Sequence, residues 1–349
     1  MNSKGTYIPE LSTWRFLFIL MIFFHHVELF PGGGATGVAF FFILGGFTLT
    51  LGYSDKVLNN DFEFGSYLKK RLVKFYPLHW FILLLFVPLN LLCSVPVSIK
   101  TFVPNFLLVQ SFIPIKEFFY SYNSPSWYLC NTVFFAILFP FIYKLFSRIK
   151  GRQWLWFALI LVVLIVAESI TPEEYWLPIL YINPLLRTFD FVIGMLSAMA
   201  FKKMLYDDSW GGQFLKKRNI AFLLILVCLI LITILSLASN GLRMRAFLYW
   251  VPMAVLILST AVVSATGNNI ILGNKLLISL GNVSFAFYMI HSLVIQSLDA
   301  VFSKLGVANQ LITVPVMFVV TIAGSYIVTL FFVTPITKWL SNKLIKRAV

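Results

Sequence analysis

Apolar residues run in blocks along this chain, and the blocks are too long for β-strands or for the core helices of a water-soluble domain. Ten of them, at about 14–30, 36–53, 75–93, 126–146, 154–170, 182–201, 219–238, 246–266, 277–299 and 311–333, are each long enough to cross about 30 Å of hydrocarbon as an α-helix. The polar stretches between them are short, and no soluble domain fits in the gaps. Since a chain in lipid must satisfy its backbone internally, the pattern predicts an all-α integral membrane protein of about ten transmembrane helices. Residues 1–349 are expected to form a single transmembrane domain with no appended soluble domain.

Composition agrees, with 60% hydrophobic and 11% charged residues and a mean hydropathy of +0.89. Lys4 and Arg15 ahead of the first block give it the look of a signal peptide, but nine further blocks and the pair His25-His26 inside the first argue that it is retained. A formal charge of +14 would suggest nucleic acid in a soluble protein. Here the placement of the charge says otherwise. Threading the ten spans puts 20 Lys and Arg on the side that holds both termini and five on the other, namely Lys100, Lys116, Arg243, Arg245 and Lys304, while Arg15 and Arg187 lie within spans. That asymmetry predicts cytoplasmic termini, and a basic cytoplasmic face suits anionic membrane lipid or a phosphorylated metabolite rather than nucleic acid. Cys93, Cys130 and Cys228 show no CxxC or zinc-type spacing. They read as packing residues, with a Cys93–Cys130 disulfide the alternative. No Gly-rich phosphate loop, internal repeat or carboxylate cluster suited to a metal is present, so no metal is expected.

Polar residues inside the blocks are the candidate chemistry, because a charge at the centre of a span costs about 2.5–3.5 kcal/mol on insertion scales. In RFLFILMIFFHH, Arg15 precedes His26 by eleven residues, close to three helical turns, so the two point along nearly the same face about 16 Å apart. His25 lies about 80° away and is expected to pack against a neighbouring helix. Arg15 alone would also serve as an interfacial anchor, and a buried histidine is also satisfied by a carbonyl. A neutral imidazole that accepts a proton near pH 7 makes His26 the candidate base.

In KKRLVKFYPLHW a basic cluster runs into the third block. It reads as a cytoplasmic stop signal, yet Arg71 and Lys74, three apart, would share a helical face and cradle phosphates, flanked by Lys69 and Lys70. In NPLLRTFDFVIGM, Arg187 and Asp190 stand at i and i+3, spaced to pair. His291 in GNVSFAFYMIH reads as a packed residue, and Glu168, Glu173 and Glu174 as solvated ones.

Several of these stretches resemble the membrane acyltransferase 3 family, whose members O-acylate cell-envelope glycans and related molecules. YIPELSTWRFLFILMIFFHH resembles its opening pattern of an arginine and a histidine separated by ten residues, which selects Arg15 and His26. FFILGGFTLT is similar to the family's FF-hydrophobic-SGF segment, with Gly45 where serine is common. RLVKFYP resembles its Arg-x-x-Arg element, here Arg71 and Lys74, and NSPSWYLCNTVFFAILFP, NPLLRTFDFVIGM and LGNVSFAFYMIH resemble later landmarks in the expected order. The likeness covers nearly the whole chain. Three further positions depart from it: Lys74 replaces an arginine, and Thr132 and Thr334 stand where glutamate is common.

The resemblance implies an acyl-CoA donor, most often acetyl-CoA, and a hydroxyl acceptor on a lipid-linked or polymeric glycan, at a bacterial cytoplasmic membrane. Coenzyme A phosphates are expected at Arg71, Lys74, Lys69 and Lys70, with Arg15 at the entrance and the pantetheine arm running toward His26. His26 either deprotonates the sugar hydroxyl or carries the acyl group itself. Arg187, Asp190, Trp127 and His291 are candidates for the acceptor side. The competing class is a secondary transporter, in which buried Arg, His and Asp line a path, although no pair of interrupted spans in matching halves is visible. A structural scaffold gives Arg15 and His26 no reason to share a face.

Overall fold

A computed structural model describes residues 7–59, 62–148, 153–205, 217–238, 246–265 and 272–344. Lys4, Arg243 and Arg245, which enter the charge assignment, lie outside the described residues, as do Lys150, Arg152, Lys216, Lys346 and Arg347. The described residues form helices joined by turns and short irregular segments, without a strand. In order they form α1 (Glu10–His26), α2 (Gly33–Leu58), α3 (Phe64–Leu92), α4 (Ile99–Leu107), α5 (Lys116–Phe119), α6 (Ser126–Arg148) and α7 (Gln153–Ile170). Then come α8 (Pro184–Leu205), α9 (Arg218–Leu237), α10 (Trp250–Ala265), α11 (Lys275–Asn282), α12 (Ser284–Leu305), α13 (Gln310–Val328) and α14 (Thr334–Leu344). Eight segments among the described residues are long and apolar enough to cross a membrane. α1, with 17 residues, and α7, with 18, stand at the short end for that task.

Element boundaries depart from the apolar blocks where helix propensity and proline intervene. α3 starts at Phe64 rather than near 75, because Leu68 to Arg71 are good helix formers with no breaker among them. The basic cluster therefore rides on the helix itself. The ninth block is broken between α11 and α12 at Val283, directly after Gly281-Asn282, two poor helix formers. The tenth continues through a π-helical turn at Thr329–Val333 into α14. Pro335, which has no amide N–H for the ladder, accounts for that irregularity.

The helices fall into two compact units. The first holds residues 1–62, 138–181 and 185–282, and its packing is governed by glycines. A Cβ on Gly46 of α2 would overlap the Phe191 carbonyl of α8, and one on Gly194 of α8 would overlap the Ile43 carbonyl of α2. The two backbones are thus in mutual contact, the close approach that small residues permit between membrane helices. FFILGGF and FDFVIGM are the two halves of that crossing. Toward its C-terminus, Lys202 Nζ of α8 reaches Asp55 Oδ1 of α2 at 2.6 Å and Ser54 Oγ at 2.6 Å. Gly281 of α11 meets the Ser12 carbonyl of α1 in the same way. The second unit holds residues 63–137, 182–184 and 283–349. There α3 packs against α12 and α14, and the rings of Phe81 and Phe332 stack at 4.6 Å.

Gly46→Val or Gly194→Val is expected to abolish accumulation of monodisperse protein in detergent, since backbone occupies the space required. Gly52→Ala, in the same helix with nothing within 4 Å, should instead stabilise by about 0.5–1 kcal/mol. Size-exclusion profiles and thermal unfolding check both.

Candidate functional site

Three side chains near its N-terminus fix the rotation of α1. Thr13 Oγ1 donates to the Leu272 carbonyl at 2.7 Å, Trp14 Nε1 donates to Thr260 Oγ1 of α10 at 2.9 Å, and Ser12 Oγ donates to Asn282 Oδ1 at 3.2 Å. With that rotation set, the face shared by Arg15 and His26 is the packed one. Leu11, Ile19 and Ile22 on the same side are buried, at 5%, 0% and 2% exposure, whereas Leu17 on the opposite side is 38% exposed. Arg15 is half-buried and His26, the last residue of the helix, is exposed. The pair therefore faces the protein side of α1, and its imidazole is accessible at the helix end. His25 does something different. A Cβ on Gly34 of α2 would lie 2.5 Å from its ring, so His25 belongs to the α1–α2 contact, 5.3 Å from the His26 ring.

Arg187 and Asp190 pair within α8, Nε to Oδ2 at 3.0 Å, each 1% exposed. The N–H is not aimed at that oxygen, so the contact is one of charge rather than an aligned hydrogen bond. The guanidinium lies 5.0 Å from the Phe42 ring and 5.2 Å from the Tyr181 ring, and cation–π attraction offsets part of its burial. The second partner of Asp190 is Trp250, whose Nε1 donates to Oδ1 at 2.5 Å. Sequence reasoning could not reach Trp250, sixty residues away, because nothing in spacing or composition links it to Asp190. The cluster is buried and joins α2, α8 and α10.

In the second unit, the N-terminal turns of α3 carry Lys69, Lys70, Arg71 and Lys74, with Arg71 half-buried and the lysines exposed. Arg71 lies over the Tyr67 ring, 5.4 Å from its centroid. Tyr67 is itself held by its hydroxyl, which donates to the Ala136 carbonyl at 2.9 Å, so the guanidinium has an oriented platform. Lys74 Nζ lies 5.4 Å from the Phe75 ring.

Further along the same unit, the NSPSW turn before α6 is tied to α12. Tyr288 OH donates to the Pro125 carbonyl at 2.7 Å, Asn123 Nδ2 donates to the Met289 carbonyl at 3.0 Å, and His291 Nδ1 donates to the Tyr288 carbonyl at 2.6 Å. Trp127 and His291 are both buried around this junction. Thr132 is satisfied locally, its hydroxyl donating to the Tyr128 carbonyl at 2.9 Å.

The residue that sequence reasoning passed over is His79. It is fully buried, with Nε2 2.7 Å from the Asn105 carbonyl, so the segment carrying α4 and α5 is anchored to α3. Its signal was present, a histidine inside an apolar block, but its partner is a backbone carbonyl between blocks. Among the described residues no group of three or more His, Cys, Asp or Glu is placed to hold a metal.

A helical membrane protein that carries a guanidinium and an accessible imidazole along one inward face, with a cationic helix start, has the equipment of a membrane-bound group-transfer enzyme. A family model described as an acyltransferase domain matches residues 8–330, and the chain belongs to that family, the membrane acyltransferase 3 family. It is an acyltransferase, and the carrier reading is set aside on that ground. Acyltransferase MdmB of Streptomyces mycarofaciens is 27% identical to it over 286 residues, which cover 75% of this chain and 68% of that one. No solved structure matches the chain.

Asp190→Asn leaves a buried guanidinium without its countercharge and is expected to destabilise by about 3–5 kcal/mol. The double variant Arg187→Met, Asp190→Leu should lose less than that, and thermal unfolding distinguishes the two.

Proposed function

We propose that this acyltransferase moves an acyl group, most often acetyl, from acyl-CoA to a hydroxyl of a cell-envelope glycan, at a bacterial cytoplasmic membrane with both termini in the cytoplasm. The observation that carries the reading is the shared, protein-facing side of α1 on which Arg15 and His26 stand. His26 takes the proton of the acceptor hydroxyl as its oxygen attacks the thioester carbonyl. The C–S bond then breaks, and the leaving thiolate takes up the proton from the imidazolium. In the two-step form the His26 nitrogen attacks the thioester first, coenzyme A leaves, and the acceptor oxygen then receives the acyl group from the acyl-imidazole. Arg15, on the same face, supplies positive charge for the oxyanion that either route generates.

For the donor, Arg71, Lys74, Lys69 and Lys70 supply four cationic side chains within two turns of α3, suited to the phosphates of coenzyme A. Arg71 on its tyrosine platform offers planar, bidentate donors, and Lys74 adds a point charge. Trp127 and His291 in the second unit are proposed for the acceptor, and Arg187 and Asp190, candidates for the same role, fix α2, α8 and α10 within the first unit.

The reading makes separable demands on neighbouring residues. In proteoliposomes, His26→Ala is expected to abolish acylation with normal insertion, and His25→Ala to be milder; equal loss in both variants would remove the argument from helical phase. Lys74→Ala should raise KM for acyl-CoA about tenfold, the order expected from loss of one charge-assisted contact, and Lys74→Arg should restore or improve it. An unchanged KM in Lys74→Ala would count against the phosphate role.

A further inference from the structure

We infer that Gln110 and Asn123, gathered around Ser126 in the second unit, form a hydroxyl-recognising subsite for a neutral polyol such as a sugar ring. The inference rests on the acceptor reading above and deepens it. It begins with hydrogen-bond bookkeeping in which every direction is forced. Asn105 Nδ2 lies 3.1 Å from the Thr101 carbonyl and 3.2 Å from the Phe118 carbonyl. Both are acceptors only, so this end of the amide is the NH2. Its oxygen therefore faces Ser126, whose Oγ donates to it at 3.2 Å. With its one proton spent, Ser126 Oγ accepts from Gln110 Nε2 at 3.1 Å. Gln110 Oε1 is thereby turned elsewhere, and it meets no partner. Asn123 follows the same logic: its Nδ2 donates to the Met289 carbonyl, and its Oδ1 has no partner. Both side chains are fully buried.

Buried amide oxygens that lack a donor are uncommon and costly, and both residues are tied to one serine, Gln110 to its side chain and Asn123, through its backbone carbonyl, to its N–H. Asn131, about one and a half turns further along α6, repeats the pattern, with Nδ2 on the Ile182 carbonyl and Oδ1 unpartnered. What such oxygens lack is a neutral donor, an O–H rather than a cation. The same turn carries aromatic residues: Trp127 follows Ser126 in the chain, the Tyr128 and Tyr288 rings lie 5.0 Å apart, and Tyr288 bonds the Pro125 carbonyl. A few polar acceptors among aromatic faces is the make-up of a small-molecule site.

The backbone beside them is unusual: Leu108 and Tyr122, which precede Gln110 and Asn123 by two residues and one, hold φ of +56° and +55°, a left-handed conformation uncommon for bulky side chains.

The test uses the full chain in lipid nanodiscs, titrated with methyl glycosides of glucose, galactose and mannose and with their permethylated forms, followed by tryptophan fluorescence. At least one free glycoside is expected to bind and its permethylated form not to. Gln110→Met and Asn123→Leu should weaken that binding tenfold or more while leaving acyl-CoA binding unchanged. The wild-type comparison decides the matter where a variant does not fold. If no free glycoside binds, if the permethylated forms bind equally, or if both folded variants bind like wild type, the oxygens hold water only and the subsite is overturned. Glycoside binding that persists while acyl-CoA fails to bind would count against the donor reading and leave the subsite standing.

Discussion

A polar group inside a membrane-crossing helix has to find its partner within the protein, because hydrocarbon offers none. Some polar side chains obey this by bonding to their own helix one turn back, as Ser197, Thr321 and Ser325 do. Others bond across helices and so decide which helices touch. Thr36 of α2 meets Ser236 of α9 at 2.6 Å and Tyr249 at 3.3 Å, and Asp190 of α8 holds Trp250 of α10. Against that background His26 stands out for its exposure at the end of α1, whereas His79 is fully buried.

The consequence for function runs through rotation rather than position. A helix that turns by 100° per residue presents a different side chain to its neighbours with every small change of phase. Thr13 and Trp14 lock that phase one residue before Arg15, and the His25 ring seated against Gly34 locks it again one residue before His26. Two anchors, one near each end of α1, thus commit the arginine and the imidazole to a common inward side. The glycine crossings do the same for α2 and α8, where backbone meets backbone and no rotation is tolerated.

Hydropathy made the helical class and the position of most spans legible, since block length and hydrocarbon thickness are physically linked. The Arg187–Asp190 pair was legible for a related reason: it depends only on spacing within one helix. Contacts between distant segments were not. Nothing in the sequence marks Gly46 and Gly194 as points of backbone contact between α2 and α8, and Trp250 carries no mark of its bond to Asp190. The polar hub of His79, Asn105 and Ser126 was hidden because it depends on two short helices between spans, whose paths no apolar block records.

The central claim is that this fold carries an acyl group from a thioester to an oxygen. Purified protein in liposomes, supplied with radiolabelled acetyl-CoA and extracted envelope glycan, tests it directly. The account predicts label in the glycan as an alkali-labile ester. Label that crosses the bilayer unmodified, with the glycan unlabelled, would contradict it.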